Sequence, residues 1–159
     1  MHAFRAVTLP AGVPGSLWLA GMPARLEGWD AFQARAQAAG LRSVVCLTPR
    51  SEVAGLSPAY DAALARGTLP FRWEEVAIPN FGVPADREAF RDAVASIADA
   101  LRRGDGVLLH CAAGLGRTGS TAACVLKALG LDTAEALRRV REAGSNPQNA
   151  TQSGFVDWF

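Results

Sequence analysis

The stretch GVLLHCAAGLGRTGS, residues 106–120, joins an apolar run to a loop with three glycines and then to further apolar sequence. The run GVLLHC at 106–111 favours a buried strand, and RTGSTAACVLKALG at 117–130 favours a largely apolar helix packed against a sheet. A strand, a glycine loop and a buried helix in this order either hold a nucleotide or present a nucleophile. Which of the two chemistries applies depends on the residues inside the loop.

Further strand-like runs alternate with helical patterns along the chain. We predict three more strands, at residues 16–21, 41–47 and 71–78. Helix 86–103 is the clearest helical pattern, because apolar residues recur in it at spacings of three and four. Another helix begins after Asp132, which is placed to cap it. This order predicts one α/β domain over residues 1–159, with a central, mostly parallel sheet of about four to five strands flanked by helices.

The composition excludes several classes of partner. The chain has 16 basic and 15 acidic residues and no block of like charges, so we expect no nucleic-acid or membrane partner. The N-terminal sequence lacks the sustained apolar run of a signal peptide. Three cysteines, an odd number, fit a reducing compartment better than a disulfide framework. We therefore expect a cytoplasmic monomer, and the strong Ala, Gly and Arg bias favours a bacterial source.

The glycines of the loop match a nucleotide-binding pattern only superficially. Gly114, Gly116 and Gly119 satisfy G-x-G-x-x-G after a strand. A dinucleotide site also needs a second strand with an acidic residue about 20 positions further on. Asp132 and Glu135 instead open a helix there. A P-loop is excluded as well, because the loop does not end in Gly-Lys-Ser/Thr.

The loop is better suited to a nucleophile. In HCAAGLGRT, five residues separate Cys111 from Arg117, and Thr118 follows. A loop of this length that ends at a helix N-terminus can turn its N–H groups inward and cradle phosphoryl oxygens. The planar guanidinium of Arg117 can hold two of those oxygens. Cys111 would lie beneath the phosphorus, where the same amides stabilise a thiolate.

Four segments of the chain, the loop among them, resemble one known family of enzymes. HCAAGLGRTG resembles the signature loop of cysteine-dependent protein tyrosine and dual-specificity phosphatases. VVCLTPRSEV at 44–53, IPNFGVP at 78–84 and GSNPQNATQSGFVDWF at 144–159 resemble, in order and spacing, the small dual-specificity phosphatases related to the kinase-associated phosphatase. The resemblance implies hydrolysis of phosphomonoesters on proteins through a phosphocysteine intermediate, on phosphotyrosine and also on phosphoserine or phosphothreonine. It implies no metal and no cofactor.

The resemblance also assigns roles to individual residues. Cys111 would be the nucleophile, Arg117 the phosphate clamp, and Thr118 a hydroxyl that stabilises the departing thiolate. His110 would orient the loop and favour the thiolate, although it could instead be a polar strand end satisfied by backbone. Gln152 would position water, although a glutamine on a helix surface is the alternative. The phosphate-binding loop comprises Ala112, Ala113, Gly114, Leu115, Gly116 and Arg117.

The loop's apolar residues and one departure from the family pattern bear on the substrate and the rate. Phosphoinositide-directed relatives tend to carry lysines inside this loop, so the resemblance implies phosphoprotein substrates for a loop that has Ala112, Ala113 and Leu115 instead. The family expects an aspartate as general acid in a phrase like IPDFGVP, where this chain has Asn80. An amide cannot deliver a proton, and such a step is worth about 10²- to 10⁴-fold in rate. Asp86 is the nearest carboxylate on that segment, either as a substitute acid or as a charge in the first helical turn.

Three alternatives stay open at this point. Cys46 ends a predicted strand, where some relatives carry a cysteine that forms a reversible disulfide with the nucleophile, or it is simply a small core residue. Asn80 is compatible with an impaired or engineered trapping variant that acts as a phosphoprotein-binding module. Besides a phosphatase and a binding module, rhodanese-like sulfur transfer is a third possible function, although rhodanese loops are typically shorter.

Overall fold

The computed structural model describes residues 4–159, which form a five-stranded mixed sheet in the order β1-β2-β5-β3-β4. The antiparallel pair is β1 and β2, and the other neighbouring strands are parallel. The strands are β1 Arg5–Val7, β2 Ser16–Ala20, β3 Leu41–Cys46, β4 Arg72–Glu75 and β5 Gly106–His110. The sheet confirms the mostly parallel α/β architecture expected from the alternating pattern.

Helices cover both faces of the sheet. They are α1 Trp29–Ala38, α2 Arg50–Leu56, α3 Pro58–Arg66, α4 Arg87–Arg102, α5 Gly116–Ala128, α6 Thr133–Glu142 and α7 Ala150–Trp158. The larger core joins α4 to α7 to one face, and smaller clusters join α1, α2 and α3 to the other. Among the helices described, none has both the length and the apolar character needed to cross a bilayer.

Strand β5 lies at the centre, with every residue buried. Successive side chains of a strand point to opposite faces, so Leu109 enters the larger core while Leu108 packs on the other side. Burial on both faces explains why this strand is a continuous apolar run and not an alternating one. The pairing of His110 with Ala20 and Cys46 places the carboxyl ends of three parallel strands at one edge. The glycine loop leaves the sheet at this edge.

The predicted elements are all present in the structure, and the strands differ from the prediction at two points. Helix α4 begins after Asp86, whose carboxylate accepts from the Ala89 N–H at 3.0 Å, and Asp132 caps α6 by accepting from the Glu135 N–H at 2.8 Å. Strand β4 is shorter than the predicted strand 71–78, because the chain beyond Glu75 pairs only through isolated hydrogen bonds from Val76 and Ile78. Strand β1 was not predicted, since three residues with mixed exposure carry no recognisable alternation.

Candidate active site

Cys111 lies between the end of β5 and the start of α5, with its side chain almost fully buried. Two donors converge on its sulfur. The Thr118 hydroxyl donates to Sγ at 3.0 Å, and the Gly114 N–H donates at 3.3 Å. The first amides of α5 have no acceptor within the helix, because the intrahelical ladder starts only at Gly119, which donates to the Leu115 carbonyl at 2.8 Å. The loop therefore offers N–H groups and a helix N-terminus to an anion.

Two glycines give this loop its shape. Gly114 has φ +75°, a conformation that side chains with a Cβ rarely adopt, and a Cβ there would lie 2.6 Å from the Ala20 backbone. A Cβ at Gly116 would lie 2.6 Å from Cγ of Gln148. The glycines thus permit the tight curl and the close approach of α7's leading segment. They serve an anion cradle, and the dinucleotide pattern is coincidental.

Arg117 is held by a carboxylate from the other side of the site. Its side chain is 3% exposed. Nη1 and Nη2 donate to the two Glu52 oxygens at 2.8 and 2.9 Å, and Nη1 also donates to the Ile78 carbonyl at 3.2 Å. Hydrogen bonds from Arg117 hold the pKa of the Glu52 carboxyl below its usual range, and Glu52 raises the pKa of Arg117. Both groups are therefore charged at neutral pH.

The same contacts determine which edge of the guanidinium is available. A guanidinium has five N–H groups. Glu52 takes one from each Nη, and Ile78 takes the second of Nη1. The N–H groups that remain are on Nε and Nη2, and these two share one edge of the plane. Arg117 can therefore grip two phosphoryl oxygens side-on while Glu52 holds its far end.

His110 is neutral and fixes the backbone behind Cys111. Burial lowers its pKa to about 4. The Cys111 carbonyl can only accept, so the hydrogen of the neutral ring is on His110 Nδ1, which donates to that carbonyl at 3.3 Å. His110 Nε2 then accepts from the Tyr60 hydroxyl at 2.8 Å, and the same hydroxyl accepts from the Trp73 indole N–H at 2.7 Å. A neutral histidine held in this way is suited to orienting the loop, and its part in favouring the thiolate stays a prediction.

A residue from the first strand braces the loop from behind. Arg5 donates to the Gly114 carbonyl at 2.7 Å, to the Ala143 carbonyl at 2.8 Å and to the Ser145 hydroxyl at 2.9 Å. Ser145 donates to the same Gly114 carbonyl at 2.6 Å. Two donors thus fix the peptide group between Gly114 and Leu115, which adjoins the peptide whose N–H, on Gly114, faces the sulfur.

These elements enclose a cavity of about 250 Å³ with Cys111 and Arg117 in its lining. Asn80 and Phe81 contribute from the loop that precedes α4, and Gln152 contributes from α7. The other lining residues are Ala112, Ala113, Leu115, Gly116 and Gln148. The Cys111 thiol, the unpaired edge of the Arg117 guanidinium and the backbone N–H groups of the loop thus face the same cavity, as an attack on phosphorus requires.

A family model described as Swiss Army Knife protein, DSP-PTPase phosphatase domain, matches residues 13–154. The chain belongs to this phosphatase family. Solved structures agree in fold. The kinase-associated phosphatase with serine in place of its catalytic cysteine is 17% identical, with a TM-score of 0.83 over 98% of this chain and 92% of that one.

Two more solved structures are similar. Tk-PTP in its active form is 26% identical, with a TM-score of 0.73 over 97% of this chain and 95% of that one. The human tyrosine phosphatase-like serine/threonine/tyrosine-interacting protein is 19% identical, with a TM-score of 0.72 over 99% and 95%. Because the family model covers residues 13–154, the chain is an enzyme, a protein phosphatase of the dual-specificity and tyrosine class. The alternative of a binding module that has lost catalysis is not favoured.

The position at which the family resemblance predicts the general acid holds an amide. Asn80 lines the catalytic cavity, as the sequence pattern indicates. Asp86 does not line it, and its carboxylate caps α4 instead. No carboxylate lines this cavity within residues 4–159. Glu52 lies behind Arg117 and is ionised by it, so it has no proton to give.

Gln152 lies at the cavity and not on a helix surface. It is 1% exposed. Its Oε1 accepts from the Gln148 N–H at 2.7 Å, and its Nε2 donates to the Gly82 carbonyl at 3.2 Å. Together with Asn149, which donates to the Phe81 carbonyl at 2.8 Å, it ties the Asn80 loop to α7.

The two remaining cysteines, Cys46 and Cys124, are buried free thiols. Cys46 pairs with His110 in the sheet, so its side chain is on the face opposite to Cys111, and its thiol donates to the Thr48 carbonyl at 3.4 Å. This geometry favours the core role for Cys46 over the disulfide. Burial raises the pKa of Cys124 to about 12, as expected for a core thiol on α5.

Sequence reasoning missed Glu52, Tyr60, Arg5 and Ser145. A signal existed for Glu52, because a buried arginine in a phosphate loop needs a carboxylate, and Glu52 stands in the segment 44–53 that carries the family resemblance. Tyr60 and Arg5 act from distant elements with no local pattern that marks them.

Proposed function

We propose that this phosphatase hydrolyses phosphomonoesters on proteins through a phosphocysteine intermediate on Cys111. The observation that carries the proposal is the convergence of three features on one cavity. They are the Cys111 sulfur with its two donors, the free edge of Arg117, and the N-terminus of α5. None of these features requires a metal ion.

In the first step, the Cys111 thiolate attacks phosphorus in line with the ester oxygen. The S–P bond forms as the P–O bond of the ester breaks, and the ester oxygen leaves with the electron pair as a phenolate or alkoxide, which takes its proton from water because no carboxylate lines the cavity within residues 4–159. The Nε and Nη2 groups of Arg117 and the loop amides bind the equatorial oxygens, where charge gathers in the transition state. Glu52 keeps the guanidinium in the required plane.

In the second step, water attacks phosphorus, and the S–P bond breaks with its electrons returning to sulfur. Thr118 already donates to Sγ at 3.0 Å, so it stabilises the thiolate as it departs. We assign the positioning of water to Gln152, whose amide lies at the cavity with one lone pair of Oε1 still available. Inorganic phosphate is released.

The mouth of the cavity favours an aryl ester. Phe81 is 63% exposed and Leu115 is 39% exposed, and both line the cavity. Exposed apolar side chains at a polar site offer a surface for an aromatic ring. We therefore propose phosphotyrosine as the preferred residue, with phosphoserine and phosphothreonine as slower substrates. The odd number of cysteines supports a cytoplasmic location, and the composition supports a bacterial source. We also propose that the protein is a monomer.

The test is hydrolysis of p-nitrophenyl phosphate in the presence of a chelator. Cys111→Ser should lose turnover by a factor above about 10³, because an alcohol is a far weaker nucleophile than a thiolate, while tungstate should still bind. Cys124→Ala is the matched control, since this buried cysteine lies in the core of α5 and should leave the rate within about twofold. Activity that survives in Cys111→Ser, or that requires a divalent metal, contradicts the proposal.

A further inference from the structure

A second cavity, of about 490 Å³, opens beside the catalytic cavity. Ala112, Ala113 and Leu115 line both cavities and form the wall between them. The loop between β2 and α1, residues 21–28, supplies the facing wall. We call this space the side groove. The chemistry of phosphate transfer makes no use of it.

The side groove carries excess positive charge. Its charged lining residues are Arg5, Arg25, Arg35 and Glu27. Arg35 donates to both Glu27 oxygens at 2.6 and 2.8 Å, and Arg5 is bonded to the phosphate loop. Arg25 is exposed, and its side chain makes no hydrogen bond or ion pair within residues 4–159. One guanidinium is therefore available to a ligand.

Apolar surface lies next to that charge. Leu26 is 70% exposed, and Met22 and Pro23 are buried in the same wall. Ala24 has φ +56°, a conformation that costs an alanine free energy. The fold thus maintains an unfavourable turn at the residue that precedes Arg25 and Leu26.

We propose that the side groove binds the segment of the phosphoprotein substrate next to the phosphorylated residue, and that Arg25 selects an acidic side chain there. This rests on the proposed function. An extended chain advances about 3.3 Å per residue, and side chains two positions apart point the same way. With the phosphoryl group on Cys111, a side chain two positions away lies about 7 Å further along, across the wall formed by the phosphate loop.

The continuity of the two cavities favours this occupant. Leu115 borders both, so a chain that leaves the catalytic cavity on this side enters the side groove directly. Charge complementarity then selects for acidic flanking residues, chiefly through the rate and affinity of binding.

The experiment uses phosphotyrosine peptides that differ only in carrying Glu or Lys two positions from the phosphotyrosine, on either side. We expect the intact protein to prefer one Glu peptide over its Lys counterpart about tenfold in kcat/KM, mainly through KM. Arg25→Glu should abolish or invert that preference. Arg66→Glu is the matched control, because Arg66 is exposed at the end of α3 and lines neither cavity, and it should keep the preference.

The rate on p-nitrophenyl phosphate, measured for each variant, serves as the reference. A preference that persists in Arg25→Glu, or equal losses on both peptides and on the small ester, overturns the side groove as a selective site. Equal rates for Glu and Lys peptides with the unchanged protein overturn it as well. If the unchanged protein fails on the small ester itself, the proposed function is at fault and not the groove.

Discussion

The two sides of the catalytic cavity are built in opposite ways. On the nucleophile side, Cys111 and Arg117 are buried, and donors or acceptors from other elements hold the loop around them. On the leaving-group side, Asn80 and Phe81 are exposed, and Phe81 has φ +58°. In the proposed mechanism, phosphate binding and attack thus depend on a buried network that tolerates little change. Position 80, where the family resemblance predicts the proton donor, holds one exposed side chain that can be exchanged without disturbing the core.

The largest expected effect tests this contrast directly. Asn80→Asp introduces a carboxyl at the cavity, and it should raise kcat on a phosphotyrosine peptide by about 10²-fold, a typical general-acid contribution. The effect on p-nitrophenyl phosphate should be far smaller, because nitrophenolate leaves without protonation. Both substrates would be assayed from pH 5 to 8.

Asp86→Asn is the control for this experiment, because asparagine also caps helices and only the acid is removed. It should leave the pH profile unchanged. If the acidic limb of the pH–rate profile disappears in Asp86→Asn and Asn80→Asp gives no gain in kcat, Asp86 is a substitute acid. Position 80 would then not be the one that limits proton delivery.

On the nucleophile side, Glu52→Gln should lower kcat/KM by about tenfold to a hundredfold and the free energy of unfolding by about 1–3 kcal/mol at pH 7. The physical reason is that Arg117 keeps its burial and loses its counter-charge. Steady-state kinetics and urea unfolding measure the two effects.

The effect of Glu52→Gln on the free energy of unfolding should depend on pH, in a direction that the pKa of Glu52 determines. The pKa of Glu52 is lowered in the folded state, so its stabilising effect is complete above the unfolded value of about 4.3 and is lost as the pH falls through the folded value. The stability difference between the original protein and Glu52→Gln should therefore narrow below pH 4. A difference that is constant with pH would show that the carboxylate charge does not matter.

The smallest effect on catalysis is expected for Arg5, which contacts the phosphate-binding loop from the side away from the cavity. Arg5→Met removes one of the two donors to the Gly114 carbonyl and should lower kcat/KM and vanadate affinity together, by about three- to tenfold. Arg141→Met, on the exposed surface of α6, is the matched control. If vanadate affinity is unchanged in Arg5→Met while only thermal stability falls, Arg5 supports the fold and not the loop.

The fold and half of the site could be predicted from the sequence, because their signals are local. The apolar run of β5, the caps at Asp86 and Asp132, and the spacing from Cys111 to Arg117 all lie within short windows. Contacts between distant elements leave no such mark. Glu52 reaches Arg117 across 65 positions, and its role depends on a crossover that no spacing rule encodes.

Predictions at Gln152 and Cys46 show where local reasoning ends. The sequence allowed Gln152 to be either at the cavity or on a surface, and only the docking of α7 buries it. The choice between a disulfide and a core role for Cys46 depends on which face of the sheet its side chain occupies, and that follows from its register with His110.

The brace behind the loop bears on the order in which the enzyme matures. Arg5 and Ser145 are 140 positions apart, and both must reach the Gly114 carbonyl before the loop is secured. Contacts of such separation form late in folding, since the entropy of closing the intervening chain is lost first. A nascent chain on the ribosome that has been synthesised only as far as α5 already carries Cys111 but has no Ser145 to hold its loop. Full reactivity of the cysteine therefore coincides with completion of the fold, which limits unselective chemistry by unfinished chains.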